Sequence, residues 1–581
     1  MVEFLSSLDL VHFSPQLYHE IESKPPVIGL ALSGGGYRSM LTGTGFIKQM
    51  SDWKLFDSLT YVSGLSGGSW ILMDLITHDF EVDLMLTDWN LDDGLLQGIP
   101  DFVVRQKDLV SGIEESDLTE EALLKRDWSG FDNEEFREFR EILDMEVALF
   151  DEETNDEGLG KRSLNPLLRL RQLLFDDDDE VEEPLKGSLK DKNDTAQIKS
   201  WKSVKRIIQF YIDLHMEVRP KKMKGFPVSF TDYLGKAFIR NLGNNVTNML
   251  NGSSFSRLFR ESKSFKDFKA PIPIVVANCK NERLKNVIFE FTPFEFGSWN
   301  PLLRLFVKLE YLGSRIRSGI AERCVKNFDD VGFITATSSS IFNNALIYIW
   351  NMTAKSSRET VKAIKTIMGL FGLEMAGTGS NDVRSSTLDQ IKADYAVYHP
   401  NPFFNYPGVD SILTTNDHLY LVDGGEDGEN IPLRPLLIPE RKVDVVLILD
   451  SSSDNQNFPD GRKLKNVMNQ LNPEKAWSFP ELEFPLEHPL AFGCFDKDHP
   501  LLLYFSNGQH SYRSNTSTFK IVYDESEIGR MLMNGREVFS SDFDEHHRNC
   551  LGCLLIKRTL DRSAYLSEPS FCRDCYDEYC F

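Results

Sequence analysis

The sequence predicts an α/β protein with a central, mainly parallel or mixed sheet flanked by helices. Three stretches predict it. Residues 27–32 and 59–63 are short apolar runs, and each leads through a glycine-rich turn into a helical pattern. Strand, turn, helix is the order that builds parallel sheets. Residues 443–449 form a third apolar run, of the kind buried on both faces. With 581 residues the chain can bury a large core, and catalytic α/β domains of this size occur as one unit with insertions.

The segment 1–26 reads as a short N-terminal piece. It has no apolar core of signal-peptide length and carries Glu3 and Asp9 early. Pro25-Pro26 ends it. After the first strand come Ser33-Gly34-Gly35-Gly36-Tyr37-Arg38, then a helix-like stretch from Ser39. Three glycines let the backbone approach a ligand and aim N–H groups at an anion. A nucleotide loop is disfavoured, because Ser39 stands where a third spaced glycine would, and no Gly-Lys-Ser/Thr follows. An oxyanion hole is the better role beside a reactive serine. Arg38 stands at the mouth of the loop. Its planar fork suits a phosphate or carboxylate; alone, it reads as a solvated arginine at a helix start.

The second turn is Gly64-Leu65-Ser66-Gly67-Gly68, a Gly-x-Ser-x-Gly pattern between strand and helix. That setting makes it a nucleophile elbow, with the Ser66 hydroxyl at a helix N-terminus where negative charge is favoured. Far downstream, residues 418–422 read as a strand ending in Asp423-Gly424-Gly425. Asp-Gly after an apolar run is a hairpin signal. The functional alternative is a base, since burial raises a carboxyl from its ordinary value near 3.9. A Ser-Asp-His triad stays open on the residues alone, with His488, His499, His510, His546 and His547 downstream.

Residues 101–224 are charged and irregular, with acidic runs at 151–153 and 176–180. They read as a solvated, partly disordered insertion. The basic cluster at 219–224 suits phosphoinositide head groups, a nuclear signal, or a polar loop that counters nearby acids; residues 201–214 read as a docked helix. The net charge of −24 argues against nucleic acid and against electrostatic adsorption to anionic membranes. A lipid would be met by transient apolar contact at a membrane surface. No run has the length of a transmembrane helix. Five of the eight cysteines fall in the segment 550–581. Their spacing, Cys550-x2-Cys553-x18-Cys572-x2-Cys575, fits a zinc template.

Ser33–Arg38, Gly64–Trp70 and Val422–Gly428 together resemble the fungal lysophospholipase/phospholipase B family, related to cytosolic phospholipase A2 catalytic domains. The blocks 289–299, 337–343 and 430–433 and the cysteine-rich tail resemble it too, so the likeness covers most of 27–100 and 225–581. It implies a cytosolic phospholipase A2/patatin-like fold over 27–581. It implies a serine–aspartate dyad without histidine: Ser66 as nucleophile, Asp423 as base, Gly35 and Gly36 as oxyanion donors, and Arg38 on the substrate phosphate. No metal or cofactor is implied. The substrate would be a phospholipid or lysophospholipid, cleaved through an acyl-serine. The resemblance also implies disulfides rather than zinc in the tail, and a secretory-pathway glycoprotein, with sequons at Asn193, Asn245, Asn251, Asn351 and Asn515. The chain departs from the family in showing no signal peptide and no hydrophobic tail for a lipid anchor. Localisation therefore stays open between the secretory pathway, if the N-terminus is incomplete, and an intracellular member of a meiosis- or sporulation-specific yeast branch. The rival reading is a weakly active or inactive phospholipid-binding regulatory protein.

Overall fold

A computed structural model describes residues 1–91, 95, 210, 213–214, 216–242, 254–279, 287–342, 395–409, 411–427, 429–471, 486 and 488–581. Both acidic runs, all of 101–209, most of 201–214, and the sequons at Asn193, Asn245, Asn251 and Asn351 lie outside the described residues.

The strands are, in chain order, β1 (Ile28–Leu32), β2 (Leu59–Gly64), β3 (Ile272–Cys279), β4 (Ile288–Phe291), β5 (Glu295–Ser298), β6 (Leu305–Lys308), β7 (Arg315–Arg317) and β8 (Ile320–Arg323). Then follow β9 (Ala396–Tyr398), β10 (Leu419–Val422), β11 (Val445–Asp450), β12 (Leu490–Phe492) and β13 (Leu501–Ser506). The sheet runs β12-β13-β11-β1-β2-β3-β4-β5-β6. The stretch from β13 to β3 is parallel, whereas β12 and β4 to β6 are antiparallel flanks. β1, β11 and β13 are buried at every residue, as unbroken apolar runs demand when helices cover both faces. The sheet is mixed, as the sequence predicts.

One irregularity in this sheet builds the site. β2 pairs with the first half of β3 and stops with Gly64 opposite Val275. β4 holds the other edge of β3 as far as Asn278. β10 therefore adds to the same edge of β3 as β2, antiparallel, with Val422 opposite Asn278. The C-terminal ends of β2 and β10 approach head-on along β3, separated by Val276 and Ala277.

Helix Gly67–Thr77 follows β2, and its Trp70 is buried against Tyr37, Phe238 and Phe342. Helix Phe230–Asn241 crosses helix Val331–Ser338 at glycine: a Cβ on Gly332 would lie 2.5 Å from Gly235 O. The N-terminal piece is packed onto the core through buried Phe4, Leu5 and Leu8, and Leu10 N donates to Asn549 Oδ1 at 2.8 Å. Of the basic cluster, residues 219–223 are helical rather than in a loop. Lys221 turns inward, paired with Asp232 and set over the Phe333 ring; the acidic runs that the cluster would counter lie outside the described residues.

The tail folds as helices Glu545–Arg562 and Ser570–Tyr579. Cys550 pairs with Cys575 and Cys553 with Cys572. The four cysteines with zinc spacing are thus two rungs between antiparallel helices, because residues three apart share a helix face. The fifth, Cys580, pairs with Cys494, 86 residues away.

Candidate active site

Ser66 lies between the end of β2 and helix Gly67–Thr77, with φ 52° and ψ −122°. A non-glycine residue with positive φ is strained and persists only where its surroundings fix it. Here Ser66 N donates to both Ser338 O (3.1 Å) and Ser338 Oγ (3.0 Å). The turn has no room for side chains beside the serine. A Cβ on Gly67 would lie 2.1 Å from Gly36 O, so the two glycine loops touch backbone to backbone.

The first glycine loop crosses directly over Ser66, whose Cβ is 3.2 Å from where a Gly34 side chain would begin. Gly36 has φ 61° and opens helix Tyr37–Asp52. The loop is pinned on two sides. Asn430 accepts from Gly34 N and donates Nδ2 to Gly34 O (3.1 Å) and Ser452 Oγ (2.7 Å). Arg38 is fully buried and spends its fork on Ser451 O, Thr516 O and Thr518 Oγ1. That uses four of its five N–H donors. Burial pulls the guanidinium down to about 10, still charged at neutral pH. Among the described residues no acceptor meets the amides of Gly35, Gly36 or Gly67. The two glycine loops meet at Gly36 and Gly67 beside the serine, and these three amides are candidates for an oxyanion hole.

Asp423 follows β10 directly, across the gap from Ser66. The Asp-Gly signal does not make a hairpin here; the chain continues into a tight turn at Gly424–Asp427. Ser66 is 2% and Asp423 1% exposed. Gly425 N donates to Asp423 Oδ1 at 2.8 Å, and Asp423 N donates to Ser340 Oγ at 3.0 Å. Asp423 Oδ2 is buried without a formed hydrogen bond. The Ser66 hydroxyl is near enough to lower the carboxyl's proton affinity, as the Gly425 amide does, yet burial dominates and lifts Asp423 to about 7. A nucleophile beside a carboxylate poised near neutrality can pass its proton directly.

Of the five downstream histidines, His488 is exposed and the other four are engaged elsewhere. His547 is buried between Phe539 O and Tyr579, and burial pushes it down to about 4. His499 meets Asp496, His510 meets Asp542 and His546 meets Glu578. No hydrogen bond among the described residues joins any histidine to Ser66 or Asp423. The Gly67 amide, Asn430, Ser338 and Ser340 were not singled out as site residues by the sequence. The elbow pattern itself is a signal for Gly67, since the residue after the nucleophile supplies an oxyanion amide. Among the described residues, no helix is long and apolar enough to cross a membrane.

Comparison with known proteins agrees with this architecture. The family model described as the lysophospholipase catalytic domain matches residues 28–131, 178–478 and 487–581. The match takes in 101–131 and 178–224, which the sequence resemblance left aside. The chain is 48% identical to the Saccharomyces cerevisiae protein named "Putative meiotic phospholipase SPO1", over all of this chain and 91% of that protein. It is 30% identical to "Lysophospholipase 2" of Aspergillus fumigatus, over all of this chain and 86% of that one. Human GIVD cytosolic phospholipase A2 shares the fold, with a TM-score of 0.54 and 15% identity over 93% of this chain and 62% of that structure's chain. On a match that runs through most of its own length, the chain belongs to the lysophospholipase catalytic-domain family.

Proposed function

We propose that the protein hydrolyses acyl ester bonds of lysophospholipids or phospholipids through an acyl-Ser66 intermediate. The observation that carries the chemistry is Asp423: buried, lifted to about 7, and set beside a serine on a strained elbow. Asp423 takes the hydroxyl proton as Ser66 attacks the ester carbonyl. The oxygen gains charge against the amides of Gly35, Gly36 and Gly67. Collapse expels the lyso-lipid or glycerophospho alcohol, which receives the proton from Asp423. Water, activated by the same carboxylate, then releases the fatty acid. The substrate class is supported by the names of the relatives, several of them lysophospholipases.

For Arg38 the geometry supports anchoring the glycine loop. One N–H of the fork remains for a phosphate, and Arg38→Lys separates the two roles. The regulatory reading has one observation in its favour, the near-complete enclosure of Ser66 and Asp423.

Fatty-acid release from lysophosphatidylcholine, by the protein and by its Ser66→Ala variant, tests the proposal. Release that disappears in the variant is expected. Lipid binding without release by either, across several phospholipids and pH values, would replace hydrolysis with the regulatory reading.

A further inference from the structure

Ser338, Ser339 and Ser340 are consecutive and fully buried, and each accepts a hydrogen bond from a different part of the site. Ser338 takes the amide of Ser66, through its carbonyl and its hydroxyl. Ser339 takes Trp70 Nε1, on the helix that follows the elbow, at 2.7 Å. Ser340 takes the amide of Asp423 at 3.0 Å. The run is itself moored. Ser338 Oγ donates to Val276 O at 2.6 Å, in the bare stretch of β3 between the ends of β2 and β10. Ser339 Oγ donates to Thr335 O, and Thr337 Oγ1 contacts the Tyr398 hydroxyl on β9.

Ordinary helix-end capping accounts for one of these bonds. The carbonyl of Ser338 is among those a helix C-terminus leaves unpaired, and any donor would satisfy it. Capping does not account for two neighbouring hydroxyls reaching the backbones of Ser66 and Asp423. β2 and β10 do not pair with each other, and their ladders on β3 end at Gly64 and Val422, so no strand hydrogen bond reaches Ser66 or Asp423 themselves.

We propose that Ser338 and Ser340 are positioning residues that set the separation and orientation of Ser66 and Asp423, replacing the strand pairing that the split edge of β3 lacks. The proposal rests on the reading of Ser66 as nucleophile and Asp423 as base. Its energetic logic is that a displacement near 1 Å in a reacting pair costs about a hundredfold in rate. A second consequence concerns the base itself. With its amide released, the Asp423 turn loosens, water reaches the carboxylate, and its proton affinity falls.

The test compares Ser340→Ala, Ser338→Ala and Ser340→Thr in the full chain. The readouts are the rate at which a fluorophosphonate labels Ser66 across pH, kcat and KM on lysophosphatidylcholine, and the thermal midpoint. Ser340→Ala is expected to lower kcat and labelling by about 10- to 100-fold. KM should stay within about twofold, and the acid limb of both profiles should move below its wild-type position. Ser340→Thr, which keeps the hydroxyl, should recover most of the rate and the limb. A lower thermal midpoint with unchanged labelling and an unmoved limb would reduce the run to capping and overturn the proposal. Should Ser340→Ala not fold, Ser338→Ala decides on labelling and kcat alone: the Ser338 carbonyl still holds Ser66, the limb should stay in place, a lowered rate is expected, and an unchanged rate would overturn the proposal. Wild-type protein that labels at Ser66 but releases no fatty acid would sink the lysophospholipase reading while the labelling still decides the positioning. Wild-type protein that is not labelled at Ser66 would remove both.

Discussion

At the scale of single residues, Asp423 carries opposite demands. Its carboxyl is lifted from 3.8 to about 7 chiefly by burial, so the folded state binds a proton more tightly than the unfolded state does. Its stabilising contribution is complete below pH 3.8 and is lost as pH rises through about 7. The proposed reaction needs the ionised form. Activity should therefore fall about tenfold per pH unit below pH 7, read as kcat/KM against pH. Asp423→Asn should abolish turnover and raise thermal stability at pH 8, by on the order of 3 kcal/mol. The gain should vanish at pH 4, and equal gains at both values would mean that charge burial is not the cause. Arg38→Lys separates the two roles of Arg38. A lysine cannot reproduce a fork onto Ser451, Thr516 and Thr518. Anchoring predicts equal losses, about tenfold or more, on a phospholipid and on an uncharged ester. A loss confined to the phospholipid would assign Arg38 to the phosphate. Ser66 was legible because its signal is local: five residues between a strand and a helix. The reading of Asp423 as a base comes from resemblance, since its local Asp-Gly signal points to a hairpin. Ser340 was not legible as a site residue, because its bond to Asp423 spans 83 positions.

At the scale of elements, the two glycine loops behave as one unit. They touch at Gly36 and Gly67, and any side chain at 67 would strike the Gly36 carbonyl. Gly67→Ala should therefore separate the loops and cost about 1–3 kcal/mol. The larger loss should be in kcat, because the candidate oxyanion amides move while binding of the acyl chain does not. Stopped-flow or steady-state kinetics beside thermal melts would show it, and an unchanged kcat would remove the loop contact from catalysis. β1, β2, β10 and β11 were readable from apolar runs, whereas β3 was not read as a strand. The split edge of β3 was not legible either, since it depends on where β2 stops and where β10 arrives, and neither is written in either strand's own sequence.

At the scale of the whole molecule, the C-terminal helices and the N-terminal piece close over the same side of the core. Leu10 bonds to Asn549, and Leu8 lies against Gly552. Cys494–Cys580 ties the last residues to the turn between β12 and β13. That turn is at the start of β13, whereas Ser66 follows the end of the parallel strand β2. Replacing both cysteines by alanine should cost about 2–5 kcal/mol in thermal or urea unfolding. The rate at 25 °C should be retained, and a lost rate in a folded variant would show coupling between the two ends of the sheet. The tail spacing was legible, but its chemistry was not. Zinc and disulfide templates share the same spacing, and the partner of Cys580 lies far outside the tail.

The glycine crossing between helices 230–241 and 331–338 reaches further than its size suggests. One of those helices ends in the serines that hold Ser66 and Asp423. Even one added methyl group at Gly235 would meet the Gly332 backbone and lever that helix away. A saturation mutagenesis screen for activity should thus find Gly235 as intolerant as Ser66 and Asp423, although its own neighbours are Gly332 and Phe333. Compensating second-site changes should cluster on the facing helix rather than around Ser66.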